Sequence, residues 1–478
     1  MNSYFNFENT YTNLPKCFFT EQQIKEVSLP DLVIFNDKLA KSHDINIPLN
    51  NKNETAKILS GNFNDRNMNT FAQAYAGHQF GHFTNLGDGR AIMLGEHLDK
   101  AGKRFDVQLK GSGITPYSRN GDGKAALGPM LREYIISEAI HYLNIPTTRS
   151  LSVIKTGEDV FREKKLKGSI LTRIASSHIR VGTFQYAAAQ QDIKILKSLF
   201  DYTIERHYSD IKNSEYIHIE LLNEFSLKQV NLITNWMRVG FIHGVMNTDN
   251  MTLSGETIDY GPCAFMGSYD PNTKFSSIDH MGRYSYKNQP IIAQWNIARF
   301  AETLLPLISS DLSEAIKKAE VVIKTIPEIY KTSWLNMMRK KIGLVDKKNE
   351  DGGILLKIIS FSVKMATTVD QSERDAAMKA YQEATEVMWE MAEGDPLINA
   401  LMREDQDEID RLMEETMLGV REELEEIIGE VNLDSRECIQ RDIEVLRGKI
   451  DAGEIDFETA EAEAAKLKER MDRLWGVV

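Results

Sequence analysis

The pattern of apolar and polar positions predicts a pair of strands between about residues 90 and 110. Phe105, Val107 and Leu109 alternate with polar residues, the last of which is Lys110. Successive side chains of a strand point to opposite faces, so Lys110 is expected on the polar face of its strand. The spacing therefore predicts a hairpin-like β unit that ends at a lysine.

Helical spacing follows after a stretch rich in Gly, Ser, Asn and Asp. The segment 129–144 begins with Pro129 and repeats apolar residues at intervals of three and four, which predicts a helix with Glu133 in its first turns. Further along the chain, strands are predicted over 152–161 and 167–175, and helices over 194–208 and 227–244.

Strands followed by helices predict an α+β fold. At 478 residues the chain is also longer than one ordinary single-core domain. We therefore expect a bilobal, protein-kinase-like arrangement, in which a small sheet-bearing lobe and a mainly helical lobe enclose a nucleotide cleft. The predicted regions are an irregular N-terminal region (1–60), a sheet-bearing lobe with nucleotide-binding residues (61–190), a helical lobe with the metal and catalytic loop (191–349) and an acidic helical region (350–478).

The last region differs from the rest in charge. Residues 351–478 contain 15 basic and 33 acidic residues, against 42 and 37 elsewhere, and the whole chain has a formal net charge of −13. Apolar residues from Ile409 to Val431 recur at intervals of three and four among the acidic ones, which predicts an amphipathic helix. Such a stripe is typical of a core or of an interface with a partner helix, so this region is a candidate site for a partner.

Composition argues against several classes of protein. We find no basic segment followed by an N-terminal apolar run and no uncharged apolar stretch of about 18 residues, so we expect a cytoplasmic protein without membrane contacts. The chain has no concentrated Lys/Arg stripe, so we do not expect nucleic acid as a partner. Cys17, Cys263 and Cys438 form no close pair, which disfavours a zinc ribbon or a disulfide framework.

Several residues are suited to phosphoryl or nucleotidyl transfer, which requires cations on the phosphates, a divalent metal and a group that orients the attacking hydroxyl. Lys110 and Glu133 match the strand lysine and helix glutamate that pair in kinase-like lobes. In the segment "HGVMNTDNMTLSGETIDYGP", Asn250 and Asp259 offer oxygen ligands for Mg²⁺, and Asp249 is a candidate proton acceptor. A protein kinase separates the catalytic Asp from the metal-binding Asn, whereas here the two are adjacent. Two ordinary polar turns are the alternative interpretation.

Two glycine-containing segments could approach phosphates with their backbone N–H groups. One contains Gly87, Gly89 and Arg90 before a strand, and the other contains Asp122 and Gly123 before the predicted helix. Taken singly, each is more typical of a turn than of a nucleotide loop.

Two arginines and two histidines complete the candidates. The forked guanidinium groups of Arg173 and Arg180 suit phosphate oxygens, although an exposed arginine is the default interpretation. His78 and His82 have the spacing of zinc ligands on a helix, but glycines and the absence of a glutamate between them favour structural histidines.

Taken together, long ordered motifs resemble one family. The motifs are "FAQAYAGHQFGHFTNLGDGRAIMLGE", "VQLKGSGITPYSRNGDGKAALGPMLREYIISEA", "TRIASSHIRVGTFQ", "GFIHGVMNTDNMTLSGETIDYGPCAFM" and "FSSIDHMGRYSYKNQP". From about residue 60 to about residue 340 the chain is similar to the selenoprotein O (SelO) family. The resemblance implies a kinase-like fold that binds ATP in a flipped orientation and transfers AMP to Ser, Thr or Tyr hydroxyls of proteins.

The resemblance also implies roles for individual residues. Lys110 would contact phosphate and pair with Glu133, Asp249 would accept the proton, and Asn250 and Asp259 would hold Mg²⁺ or Mn²⁺. The nucleotide site would be lined by Gly87, Gly89, Arg90, Asp122, Gly123, Arg173, Arg180 and Asp259. The C-terminal acidic region departs from the family pattern by lacking its Trp-rich and Asn-Pro motif. A catalytically silent ATP-binding scaffold and conventional phosphoryl transfer on the same fold remain alternatives.

Overall fold

The computed structural model describes residues 4–63 and 68–341 of the chain. The predicted acidic helical region, 350–478, lies outside the described residues, and so do its predicted helix and Cys438. The chain divides into two units, of which the first contains residues 1–79 and 83–337 and the second contains residues 80–82 and 338–478. The candidate site lies in the first unit.

The described residues form a nine-stranded sheet in which the pairs with a defined register are antiparallel. Its strands are β1 (Phe19–Glu21), β2 (Asp31–Phe35), β3 (Phe71–Gln79), β4 (His82–Gly87), β5 (Ala91–Leu98), β6 (Arg104–Lys110), β7 (Ala125–Ala126), β8 (Arg149–Phe161) and β9 (Lys165–Ala175). The order across the sheet is β1-β3-β5-β6-β9-β8-β2, with β4 paired to β3 and β7 paired to β9. The predicted hairpin is confirmed as β5 and β6, and the two later strands are confirmed as β8 and β9.

The expectation of an irregular N-terminal region was wrong. The first 60 residues contain β1 and β2, which end the sheet on either side, and helices α1 (Asp37–Ser42) and α2 (Lys52–Leu59). The segment before β1 is held by Glu96, whose carboxylate accepts hydrogen bonds from the backbone N–H groups of Thr10 (2.7 Å) and Tyr11 (2.8 Å). Strands β1 and β2 have only three and five residues, which is too short for alternation to give a clear periodic signal.

Helices dominate the later half of the described chain. They are α3 (Leu127–Tyr142), α4 (Val181–Ala189), α5 (Ile193–His207), α6 (Ile217–Val239), α7 (Gln289–Ile308) and α8 (Leu312–Lys341). The helix predicted from Pro129 is α3, which begins at Leu127, and the two later predicted helices are confirmed as α5 and α6. A sheet-rich part followed by a helical part confirms the α+β fold class.

A short antiparallel pair follows α6. Helix α6 ends at Val239 and is capped by Gly240, whose φ of 68° is the left-handed conformation that terminates many helices, so the predicted helical segment extended too far. Strands β10 (Phe241–Ile242) and β11 (Ala264–Phe265) then pair and enclose the loop that carries Asp249 and Asp259.

Two apolar cores stabilise these parts. In the sheet-bearing part, Leu59, Leu94, Val107 and Leu109 belong to one buried cluster. In the helical part, a second cluster includes Phe184 of α4, Phe200 of α5, Phe225 of α6 and Phe300 of α7. Within the described ranges, no helix is both long and apolar enough to cross a membrane.

The polar face of β6 is buried as well as its apolar face. Asp106, Gln108 and Lys110 are 2%, 0% and 6% exposed, although alternation with apolar residues predicted only a polar face. Buried polar groups require partners, so this face must meet other polar side chains. It borders the cleft that holds the candidate site.

Candidate active site

The twelve residues selected from the sequence line a single cleft of about 1340 Å³. These residues are Gly87, Gly89, Arg90, Lys110, Asp122, Gly123, Glu133, Arg173, Arg180, Asp249, Asn250 and Asp259. They come from strands of the sheet, from α3, from the loop between β10 and β11, and from the β4–β5, β6–β7 and β9–α4 connections. The structure therefore brings together residues that are up to 172 positions apart in the chain.

Lys110 and Glu133 form a buried ion pair. Strand β6 ends at Lys110, and the second turn of α3 places Glu133 beside it, with 2.7 Å between Nζ and Oε2. Arg173 on β9 donates to the other carboxylate oxygen of Glu133 at 2.5 Å. Burial alone would raise the pKa of Glu133, but the charges of Lys110 and Arg173 outweigh it and lower that pKa. Glu133 is therefore ionised and holds both cations in the cleft.

Asp259 is the second carboxylate on which the cations converge. Its Oδ1 lies 2.8 Å from Lys110 Nζ and 2.6 Å from Arg173 Nη2, and its Oδ2 lies 3.4 Å from Arg180 Nη2. Burial opposes ionisation, yet these three cations hold the pKa of Asp259 well below its usual range. The residue also has a φ of 61°, which is uncommon outside glycine and typical of functional positions.

Arg180 lies between two carboxylates and an aromatic ring. Its guanidinium group is 4.4 Å from the centre of the Tyr75 ring, 3.8 Å from Asp88 Oδ1 and 3.4 Å from Asp259 Oδ2. The arginine is 2% exposed, so the default interpretation of an exposed residue does not apply. Cation–π contact and two carboxylates keep this charge in place within the cleft.

Asp88 is a site residue that the sequence analysis missed. It lies between the two selected glycines, is 3% exposed, and accepts hydrogen bonds from Gln73 N (3.1 Å) and Gln108 Nε2 (3.3 Å). Burial raises its pKa to about 6 against the opposing effect of Arg180. The motif "LGDGR" contains this carboxylate between its two glycines, and that position beside a candidate phosphate loop is the signal that could have identified it.

The proposed proton acceptor lies in a short 3₁₀ turn, Thr248–Asn250, between β10 and β11. Asp249 is 8% exposed, and its Oδ1 has no hydrogen-bond partner among the described residues. Burial raises the pKa of this carboxyl to about 6. Asn250 donates from Nδ2 to Val245 O at 2.9 Å, which orients its amide oxygen as the available acceptor. A cation ligand and a proton acceptor of this kind suit a transfer reaction.

The selected glycines allow two loops to pack closely. A Cβ on Gly87 would lie 2.3 Å from the ring of Tyr117, and one on Gly89 would lie 2.8 Å from the carbonyl oxygen of the same residue. Gly123 has a φ of 66°, and a Cβ there would lie 2.0 Å from Gly113 O. A larger residue at any of the three would displace backbone or an aromatic ring at the rim of the cleft.

Asp122 is held at the cleft rim by a paired contact with Arg162. The two guanidinium nitrogens of Arg162 donate to the two carboxylate oxygens at 2.9 and 3.0 Å. These contacts lower the pKa of Asp122, led by the hydrogen bond from Arg162. Sequence reasoning selected Asp122 but not its partner, which lies 40 residues later.

The histidines at positions 78 and 82 lie on strands rather than on a helix. His78 belongs to β3 and His82 begins β4, which agrees with the argument that the glycines disfavour a helix. Among residues 4–63 and 68–341, no group of three or more His, Cys, Asp or Glu side chains is arranged as a metal site.

A sequence comparison decides the family. The family model described as "Protein adenylyltransferase SelO" matches residues 2–438. The chain belongs to the SelO family. The match extends beyond both ends of the region from 60 to 340 in which the motifs were recognised and includes much of the acidic region.

Curated relatives support this membership. The "Protein nucleotidyltransferase YdiU" of Pelagibacter ubique is 57% identical over 355 residues, which are 74% of each chain. The protein of the same name from Clostridium perfringens is 59% identical over 356 residues, 74% of this chain and 73% of the relative. A third, from Nitrosococcus oceani, is 55% identical over 369 residues, 77% of this chain and 75% of the relative.

A solved kinase domain of a Toxoplasma gondii rhoptry antigen is only distantly similar. Its TM-score is 0.24 at 9% identity, with 56% of this chain and 86% of that chain covered, so it supports no conclusion. Membership of the SelO family, by contrast, shows that the protein is an enzyme, a nucleotidyltransferase. The family description implies ATP as the nucleotide and proteins as acceptors.

Proposed function

We propose that this SelO-family protein transfers AMP from ATP to Ser, Thr or Tyr hydroxyls of proteins, releases pyrophosphate and uses Mg²⁺ or Mn²⁺. The observation that carries the proposal is the convergence of Lys110, Arg173 and Arg180 on one carboxylate inside the cleft. Eight basic and five acidic side chains line the cleft, and this excess of positive charge suits a triphosphate chain.

The positions of these groups favour ATP bound in the flipped orientation. All three cations are less than 10% exposed, so the phosphates that they bind must reach deep into the cleft. In a flipped nucleotide the β- and γ-phosphates are the ones held most deeply. The α-phosphate is then the group presented to an acceptor near Asp249. Arginines bind phosphate oxygens with two parallel hydrogen bonds, so Arg173 and Arg180 would also orient the leaving pyrophosphate.

The transfer step uses one proton acceptor. A bond forms between the acceptor oxygen and the α-phosphorus, and the bond to the oxygen that bridges to the β-phosphate breaks. Pyrophosphate leaves with that oxygen, and the hydroxyl proton passes to Asp249. The place of Asp249 in the lining of the cleft and the raised pKa of this carboxyl support the assignment.

The residues present fit a divalent cation. The carboxylate of Asp259 and the amide oxygen of Asn250 are hard oxygen ligands lining the same cleft, as Mg²⁺ requires when phosphates complete its shell. When bound, the metal would neutralise charge on the phosphates. Asp259 already contacts three cations, which compete with a metal for its carboxylate. We therefore expect phosphate to bind those cations first and so free the carboxylate to bind the metal.

The test compares transfer of label from [α-³²P]ATP and from [γ-³²P]ATP to a mixture of bacterial proteins, with released pyrophosphate measured in parallel. We expect label from the α position only, and we expect Asp259→Ala to lose it. Asp210→Ala removes an exposed carboxylate in the helical part and should label like the wild type. Label from the γ position would instead establish phosphoryl transfer. ATP binding without either label would establish a silent scaffold.

A further inference from the structure

The end of β3 packs directly against the loop that carries Asp249. Gln79, the last residue of β3, donates from Nε2 to Asp249 Oδ2 at 3.4 Å. A Cβ added to Gly77 would lie 2.5 Å from Asp249 Oδ1, so the strand backbone packs closely against this carboxylate. The sequence pattern favoured a structural role for His78 in this segment. The transfer reaction as proposed uses neither Gly77, His78 nor Gln79.

A second set of contacts locks the same strand to the same loop. The backbone N–H of His78 donates to Thr248 Oγ1 at 2.7 Å, and that hydroxyl donates to Gln185 Oε1 at 2.6 Å. The amide nitrogen of Gln185 lies 2.7 Å from His78 Nδ1. Strand β3, helix α4 and the catalytic loop thus share one closed network, which fixes Gln79 relative to Asp249.

We infer that Gln79 is a positioning residue for the transfer reaction, a role that rests on the proposed function. Its amide holds Asp249 Oδ2, while Oδ1 is buried against Gly77, and the two contacts together fix the orientation of the carboxylate. An aspartate carboxylate rotates about a broad torsion, so a single fixed donor decides which oxygen faces the substrate. Long hydrogen bonds of this kind commonly shorten when a substrate binds.

The position of Gln79 restricts what it can do. Gln79 and Asp249 line the cleft together, but the cations that fit phosphate are held by Glu133, Asp259 and Asp88 instead. Loss of the Gln79 amide should therefore lower the rate of the chemical step and leave the affinity for ATP unchanged. This separation distinguishes a positioning residue from one that binds the nucleotide.

The experiment measures kcat and the KM for ATP with α-labelled ATP and a fixed protein acceptor for the full-length wild type, Gln79→Ala and Gln79→Glu. We expect Gln79→Ala to lower kcat roughly 10- to 100-fold, as misplacement of a catalytic group does, and to change the KM for ATP less than about twofold. Gln23→Ala removes an exposed glutamine and serves as the matched control.

The two variants separate positioning from packing. If the amide positions Asp249, Gln79→Glu falls below Gln79→Ala, since a second carboxylate then faces Asp249. If Gln79 only fills space, the isosteric glutamate retains more activity than alanine, and this order would overturn the inference. Unchanged kcat in Gln79→Ala, or a rise in the KM for ATP alone, would also overturn it. Melting temperatures of both variants within a few degrees of the wild type establish that folding is intact.

The outcomes for the inference and for the proposed function differ. If the wild type transfers label and Gln79→Ala matches it, only the positioning role fails. If the wild type transfers no α-label, the proposed function fails and the role that depends on it fails with it.

Discussion

At the scale of single residues, the site depends on close contacts that allow little substitution. Gly77 is such a position, because its missing Cβ leaves room for the carboxylate of Asp249. The backbone of Gly77 is not in the left-handed region, so alanine is compatible with the strand itself. The constraint is therefore steric, and it concerns the carboxylate that we propose as the proton acceptor.

Gly77→Ala should consequently impair transfer more than folding. The added methyl group would displace Asp249 from its present position, and we expect kcat to fall by roughly 10-fold or more while overpacking costs about 1–3 kcal/mol of stability. Steady-state labelling and thermal unfolding measure the two effects. Gly267→Ala, which has open space at its Cβ, is the control. Full activity in Gly77→Ala would show that the loop adjusts without loss.

At the scale of elements, a buried polar network joins β6, the β9–α4 connection and α5. Asp106 Oδ2 accepts hydrogen bonds from His178 N (2.8 Å) and is 2.9 Å from His178 Nδ1, while its Oδ1 accepts from Arg206 at 2.6 Å. The buried His178 Nε2 has no partner within the described part of the chain, which fits a neutral ring that donates from Nδ1. The connection that this network holds leads directly to Arg180.

The network predicts a loss of stability in mild acid. Burial lowers the pKa of His178 to about 4, below the value of about 6.5 for an exposed histidine. The unfolded chain therefore binds more protons between these values, and the contribution of a neutral His178 is complete above pH 6.5 and is lost as the pH falls towards 4. We expect this residue to account for about 2 kcal/mol of the stability lost between pH 7 and pH 5.

Urea unfolding of His178→Asn at pH 7 and pH 5 measures this contribution. Asparagine can donate to Asp106 as the imidazole does, but it does not titrate, so the variant should lose less stability than the wild type on acidification. The same substitution at the exposed His280 provides the comparison. Equal losses in His178→Asn and the wild type would contradict a neutral buried histidine.

At the scale of the whole molecule, the charge of the chain is negative but that of the cleft interior is not. The formal net charge is −13, and all of the acidic excess lies in residues 351–478, whereas eight basic and five acidic side chains line the cleft. A local site of positive charge in an acidic protein is arranged for an anionic ligand rather than for a metal ion alone. The order in which ligands bind follows from this arrangement.

ATP should therefore bind without a metal, and a metal should bind poorly without ATP. In EDTA, excess ATP should raise the melting temperature by a few degrees, as expected for a ligand well above its dissociation constant, and adenosine should not. Mn²⁺ alone should give no comparable rise, because the three cations already satisfy Asp259. Thermal unfolding measures all three ligands. A rise with Mn²⁺ alone, with none for ATP in EDTA, would contradict the binding order.

The sequence by itself determined the local elements and the family. Alternation over residues 105–110 and helical spacing after Pro129 depend on neighbours a few positions apart, so they predicted β6 and α3 with small errors at the ends. Long motifs identified the SelO family, and the candidate residues they contain do line one cleft. Their individual roles stay predictions.

Only the tertiary structure decided which of those residues contact one another. Lys110 and Asp259 are 149 positions apart, and Gln79 and Asp249 are 170 apart, so no local pattern reports either contact. The burial of Asp88 and Arg180 likewise depends on chain segments that meet only in the folded protein. Periodicity encodes which side of an element faces inward, whereas the partner on that side is set by long-range packing.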